Sequence, residues 1–430
     1  MPERLQGGTA DSWKTYENQH YPDGVVLDGV SYVLIERCDI SNPGGVGVRI
    51  VGESHHITIR DNGIHDCGIS ADTLFSGIHV DPVKERDYWC DVLIEDNVIY
   101  DCIGAGIAID GRSDREVGGV PAPLYVAGVT VRSNDVSHIT PADGEQQWQA
   151  TGFGIIATTA RDILAENNLV HHTALSALHA DCRTRLPLPP IGQCERITFR
   201  GNMTWETGDT AIQFEGAVDS MAEENDVMGL ADGAAAYRGA FVDTCYAARN
   251  TWRRNIVDGT GYTGPIYVCE EGASAVTFDH NTIVAGGKSV SLEEAGASVG
   301  SRFTSNIWRG MSAWGSGHVQ VGNFKLPADL AEVFVDPANH DYGLKPGSPA
   351  IGAGEDGTDA GAIPFEEETG MAVTLTETIT PEPVTNVAYL DLVSAGVNQA
   401  QVVRKDAAGN VIETLDTYTL QNNVVVEQNS

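Results

Sequence analysis

The sequence predicts an all-β solenoid of about ten coils, followed by a small C-terminal β domain. Two recurring phrases and the lack of amphipathic helical periodicity between them predict it. In the first phrase an alternating apolar stretch runs into an asparagine, at Asn62, Asn97, Asn134, Asn168, Asn202, Asn225, Asn255, Asn281 and Asn306, with Cys38 in the same slot at the start. The steps between these anchors are 24, 35, 37, 34, 34, 23, 30, 26 and 25 residues. Such a period fits short strands joined by loops of varying length. Asparagines held in register can bond one amide to the next along a stack, so a ladder is expected.

The second phrase lies between successive asparagines. It reads Gly47-Val48-Arg49-Ile50-Val51, Gly77-Ile78-His79-Val80-Asp81, Gly106-Ile107-Ala108-Ile109-Asp110 and Gly154-Ile155-Ile156-Ala157-Thr158. Ala177-Leu178-His179-Ala180-Asp181 and Ala211-Ile212-Gln213-Phe214-Glu215 follow, and Ala240-Phe241-Val242-Asp243 continues it less cleanly. Strand side chains alternate between faces. The second and fourth positions are therefore expected inside and the third and fifth outside. On that count Asp81, Asp110, Thr158, Asp181, Glu215 and Asp243 form one outward column, with His79 and His179 in the other.

Together the two phrases resemble the right-handed parallel β-helix of the pectate-lyase-like superfamily over roughly residues 25 to 310. The resemblance implies a closing coil around Asp341-Tyr342-Gly343-Leu344-Lys345-Pro346-Gly347-Ser348-Pro349. It does not choose among the glycosidases, lyases, epimerases and viral tail spikes of that superfamily. The expected organisation is a lead-in or cap at 1–24, the β-helix at 25–310, a coil and cap at 311–369 covering the far end, and a β-sandwich-like appendage at 370–430. The appendage is expected from alternating segments and from the turn Asp406-Ala407-Ala408-Gly409-Asn410.

Charge narrows the partners. Lys and Arg number 26 against 60 Asp and Glu, a net charge of -34. Nucleic acid and anionic membranes need a basic footprint, so both are excluded as expected partners. No apolar run approaches the ~20 residues of a membrane helix. The N-terminal residues lack the apolar core of a secretory signal, so an extracellular place implies prior processing, and a virion surface is the alternative. The eight cysteines contain no CxxC pair, and structural zinc is not expected. Cys67 and Cys102 each follow a ladder asparagine by five residues and are expected to stack as buried thiols. Cys182 and Cys194 flank a proline-rich loop and could instead be bridged.

The acid column carries the expected chemistry. Adjacent coils lie ~4.8 Å apart, and stacked acids at that spacing repel unless a proton, a cation or a ligand compensates. Asp181 and Glu215, on neighbouring coils, have the spacing of a glycosidase pair. Asp110 and Asp243 are candidates for a third carboxylate. Asp81, His79, His179, Arg183, Trp89 and Trp148 are candidates for substrate contact. The insertions at 82–91, 111–127, 138–152 and 182–195 are expected to wall a groove with Tyr88, Trp89, Tyr125 and Trp148, whose faces suit sugars. The expectation is a protein that binds and cleaves an extracellular or cell-surface polysaccharide. No cofactor is required, and no protein metal site is assigned. Calcium bridging the coils is an alternative reading of the column.

Two further readings stand beside this one. A tail spike or decoration protein would bind host glycan without cleaving it, and a rod of this kind suits a homotrimer. A lyase or epimerase would need a base and a cation for the substrate carboxylate. Arg49, Lys84, Arg112 and Arg183 are the nearest candidates for that cation. Gly286-Gly287-Lys288-Ser289 is an incomplete phosphate loop and is discounted. His171-His172 reads as turn surface.

Overall fold

The computed structural model describes residues 22–68, 76–81, 87–112, 116–117, 120–141, 152–182, 192–229, 239–260, 262, 264–270, 272–285, 289–293, 299–313, 316–366, 389–396, 399–405, 411–421 and 424–429. Three parallel sheets of eleven strands each make up its main body. Each coil contributes one strand to each sheet, so successive strands of a sheet are three apart in the chain, except where the two-stranded ribbon of Glu116–Val117 and Val120–Pro121 intervenes. The first coil uses Val25–Asp28, Ser31–Glu36 and Asp39–Ser41. The eleventh uses Met311–Ala313, Val319–Val321 and Phe324–Lys325. We call the sheets A, B and C in that order. The coils thus extend past residue 310, through sequence that carries only a short final asparagine phrase.

The asparagine phrase makes the corner between sheets B and C. Asn62 donates from its backbone N and from Nδ2 to Oδ1 of Asn97, at 3.1 and 2.9 Å. The same pair of bonds repeats at Asn97, Asn134, Asn168, Asn202, Asn225, Asn255 and Asn281. Asn306 adds a further rung with Asn323. Each buried amide also caps a sheet-B carbonyl, as Asn202 does at Ala165. The residue before each ladder asparagine is left-handed, for example Asp61, Asp96, Asn167, Gly201 and Arg254 at φ 53–61°. That conformation turns the chain sharply, and Asp, Asn and Gly tolerate it best.

Inside, the strands stack like on like. Val48, Ile78, Ile107, Ile155, Leu178, Ile212, Phe241 and Tyr267 are consecutive register partners. The lumen is aliphatic at first and becomes aromatic from Phe199 onward, through Phe214, Trp252, Tyr267, Phe278 and Phe303. Large side chains at close-packed density supply most of the stabilising burial here. Glycine opens several strands of sheet A because the backbone of the next coil passes close. A Cβ on Gly47 would stand 2.4 Å from the Gly77 carbonyl oxygen. Cys67 and Cys102 are buried neighbours, and all eight cysteines are free thiols.

Residues 326–365 pack on the flank rather than only at the end. Leu326, Phe334, Tyr342, Leu344 and Ala350 form a second core with Val284 and Ile307, which project from the outer side of sheet C. Ala362 donates to Thr282 Oγ1 and Gly361 to the Ser305 carbonyl. The last sheet-B strand, Val319–Val321, stays exposed. Residues 366–430 form a separate unit. Its described part is one four-stranded antiparallel meander, Tyr389–Gly396, Gln399–Lys405, Val411–Gln421 and Val424–Asn429. A second sheet, which a sandwich needs, is not among the described residues.

Candidate functional site

Sheet A carries the acid column, and its register fixes which acids share it. Asp110 pairs with Thr158, Thr158 with Asp181, Asp181 with Glu215, and Glu215 with Thr244. Asp81 follows Val80, the partner of Ile109, and so stands beside Asp110. Asp243 does not belong to this column. Its register partner is Phe214, an interior residue, and it is fully buried. Three donors converge on its carboxylate: Asn250 Nδ2 at 2.7 Å, Trp252 Nε1 at 2.6 Å and Tyr267 Oη at 2.7 Å. Buried indole and phenol groups need an acceptor, and Asp243 is the acceptor for both. Burial pushes its carboxyl up to about 6 even against those hydrogen bonds.

The other outward column runs Arg49, His79, Ala108, Ile156, His179, Gln213. Two histidines in it meet carboxylates in the same way. His79 Nε2 lies 3.1 Å from Oδ2 of Asp110, one coil on and two residues along. His179 Nε2 lies 3.5 Å from Oε2 of Glu215, again one coil on and two residues along. The two pairs are three coils apart, ~14 Å at the sheet spacing. Between them Ala105, Ala108, Phe153 and Leu175 form a small apolar cluster outside the main core. Phe153 meets the His179 ring edge-on at 4.8 Å and helps fix its orientation.

These groups are more enclosed than strand alternation alone predicts. His79, Asp110, His179 and Glu215 are all buried, while Asp81 and Asp181 are half-buried. One ligand atom each from His179, Asp181 and Glu215 fall within 4.8 Å of one another. Glu215 is held from two further sides. Gln213 Nε2 donates to its Oε2 at 3.0 Å, and the Cys245 thiol reaches Oε1 at 3.7 Å. Gln213 in turn meets the Ser176 and Thr210 hydroxyls. Sequence reasoning misses Gln213 and Cys245 as site residues. Gln213 is visible in the phrase as the one amide in a histidine slot, whereas Cys245 carries no positional signal.

Of the four aromatics expected to wall the groove, Tyr88, Trp89 and Tyr125 lie among the described residues. Tyr88 and Trp89 lie at the start of the sheet-B strand Tyr88–Glu95, and Tyr88 donates to the Glu53 carbonyl. Trp89 is exposed, beside Gly128. Tyr125 is buried under the Arg161 guanidinium, 3.3 Å from its ring centre, and is unavailable to a sugar. Arg183, Trp148 and Lys84 lie outside the described residues. His171 and His172 belong to the strand Leu169–Thr173 of sheet C rather than to a turn. Cys182 and Cys194, which could have been bridged, are instead both buried free thiols, and Cys194 donates to the Ala157 carbonyl.

Comparison with known proteins agrees with this architecture. A family model described as a right handed beta helix region matches residues 14–168. The chain carries a right-handed β-helix. No curated protein sequence matches it. Among solved structures it is similar to pectate lyase Pel9A at 13% identity and a TM-score of 0.47, over 79% of this chain and 89% of that one. An alginate lyase from Paenibacillus sp. str. FPU-7 gives 14% identity and 0.39, over 67% and 99%. A tailspike protein 2 from Escherichia coli O157:H7 bacteriophage CAB120 gives 11% and 0.40, over 89% and 48%. Among the described residues, no helix is long and apolar enough to cross a membrane.

Proposed function

We propose that the outward face of sheet A binds a polysaccharide chain and hydrolyses it at Asp181 and Glu215. The observation that carries this reading is the register pairing of these two acids on adjacent coils, with His179 beside both. Carboxyl groups this close match the ~5 Å separation of retaining glycosidases rather than the ~6.5–9.5 Å of inverting ones. Burial disfavours charge, so the more enclosed Glu215 takes the acid role and protonates the glycosidic oxygen. Asp181, the more exposed, bonds to the anomeric carbon as the C–O bond breaks. Water then gives a proton to the Glu215 carboxylate and displaces Asp181, returning the original anomer. Asp110 with His79 sits ~14 Å away along the face, where a second part of the same chain would lie. Such substrates place the protein outside the cell or on a virion surface.

The test is a polysaccharide screen for reducing-end release, run in EDTA, with wild type, Asp181→Asn and Glu215→Gln. Wild type should release reducing ends with retained anomeric configuration by NMR. Each variant should lose about 100-fold or more, with thermal unfolding nearly unchanged. Activity equal to that of wild type in both variants would remove the pair from catalysis. Release of unsaturated uronates would favour a lyase. Binding to cells without any product would favour an adhesion protein.

A further inference from the structure

The cluster of His179, Asp181 and Glu215 has a second property that hydrolysis does not use. Neither ring nitrogen of His179 finds a hydrogen-bond partner among the described residues, although the side chain is more than nine-tenths buried. A buried imidazole left in that state costs free energy unless something else meets it. Its Nε2 is 3.5 Å from Glu215 Oε2. That is long for a hydrogen bond, yet it matches the ~3.3–3.6 Å edge between two ligands on one tetrahedral ion at ~2.0–2.2 Å. We infer that His179, Asp181 and Glu215 form a binding site for a divalent first-row transition ion, with zinc as its best occupant.

Charge and donor type agree with this assignment. Two carboxylates and a neutral imidazole carry the two negative charges that balance a dication. The -34 chain raises the local concentration of cations further. Imidazole together with carboxylate suits zinc and its neighbours, whereas calcium takes six to eight oxygens. Gln213, donating to Glu215 at 3.0 Å, orients the carboxylate as outer-shell partners of metal ligands do. Phe153 holds the imidazole ring from its other side. Three protein ligands would leave a fourth position of a tetrahedral ion for water or another ligand.

The ion and the proposed hydrolysis use the same carboxylates. Resting on that reading, zinc is an inhibitor of the enzyme, and EDTA restores turnover. Metal binding itself is tested without any glycan, so failure of one claim leaves the other standing. The full chain, stripped with EDTA and dialysed, is titrated with zinc by calorimetry and with cobalt by visible absorbance. One tight equivalent of zinc, and an intense cobalt band of tetrahedral type, are expected. His179→Ala and Asp181→Asn should each weaken zinc about tenfold or more and abolish the cobalt band. His172→Ala, on sheet C, should leave both unchanged. Asp181→Asn is nearly isosteric and half-exposed, so it carries the test if His179→Ala fails to fold. Absence of a tight equivalent, or identical titrations in wild type and Asp181→Asn, would overturn the site. Displacement of zinc by equimolar calcium would overturn its assignment to a transition ion.

Discussion

Asp243 shows how one residue can satisfy a core and burden it at once. Its carboxylate accepts from Asn250, Trp252 and Tyr267 deep in the lumen. Asp243→Ala would strand three buried donors, at on the order of 1–3 kcal/mol each before relaxation, so a loss of several kcal/mol in urea unfolding is expected. The pH dependence follows from its raised carboxyl. Burial lifts it from an ordinary 3.8 to about 6, so between those values the folded chain holds a proton that the unfolded chain releases. The stability this group adds is therefore full below about pH 3.8 and falls as pH rises through about 6. At ~1.4 kcal/mol per pH unit, the swing is about 3 kcal/mol. Asp243→Asn does not titrate, so the advantage of wild type over this variant should shrink by about that amount from pH 4 to pH 7. A gap that stays constant across this range would mean that the buried carboxyl is not raised.

At the scale of the element, the asparagine corner is what makes coils of unequal length stack. Asn202 Nδ2 donates to Asn225 Oδ1 and the Ala165 carbonyl, and its Oδ1 accepts from two nitrogens of Asn168. Asn202→Ala leaves buried partners on both neighbouring coils unmet, and should cost on the order of 3–5 kcal/mol. Asn323→Ala, at the last and half-buried rung, should cost about 1 kcal/mol. Equal losses in urea unfolding would mean that the ladder is not cooperative along the rod. This corner is legible in the sequence because an asparagine follows an alternating strand at a fixed offset whatever the loop lengths. Sheet A is legible for the same reason as far as Glu215, including the adjacency of Asp181 and Glu215. It fails at Asp243, because its phrase stops at the fourth position. Counting that aspartate as the fifth moves it to the opposite face, since strand periodicity is two. The partners of Glu215 differ in legibility. Gln213 lies two residues before it on the same strand and stands out as an amide in the histidine slot, whereas Cys245 reaches it from the next coil, and pairings between coils leave no mark in local spacing. Tyr125 looks like a sugar platform in sequence, but the Arg161 that covers it comes from the next coil.

The whole molecule is a strong polyanion, and that constrains its ligands more than any single contact does. With 60 acidic side chains against 26 basic ones, the field around the protein repels anionic chains over about a Debye length, ~30 Å at 0.01 M salt and ~8 Å at 0.15 M. A polyuronate approaching the Asp81, Asp110, Asp181 and Glu215 face meets like charge at close range. A neutral glycan meets none, and its hydroxyls can donate to the same carboxylates. Affinity for a neutral substrate should therefore change little between 0.01 and 0.15 M salt, while affinity for a polyuronate in EDTA should rise. Added zinc is expected to act in opposite directions on the two. It occupies the carboxylates that a neutral glycan would use, and it cancels local charge that repels an anionic one. Binding measured by calorimetry on inactive Asp181→Asn and on wild type, at both salt concentrations, separates these effects. A polyuronate that binds more tightly at low salt in EDTA would mean that neither the net charge nor this acidic face governs the encounter, and it would move the ligand class to acidic glycans.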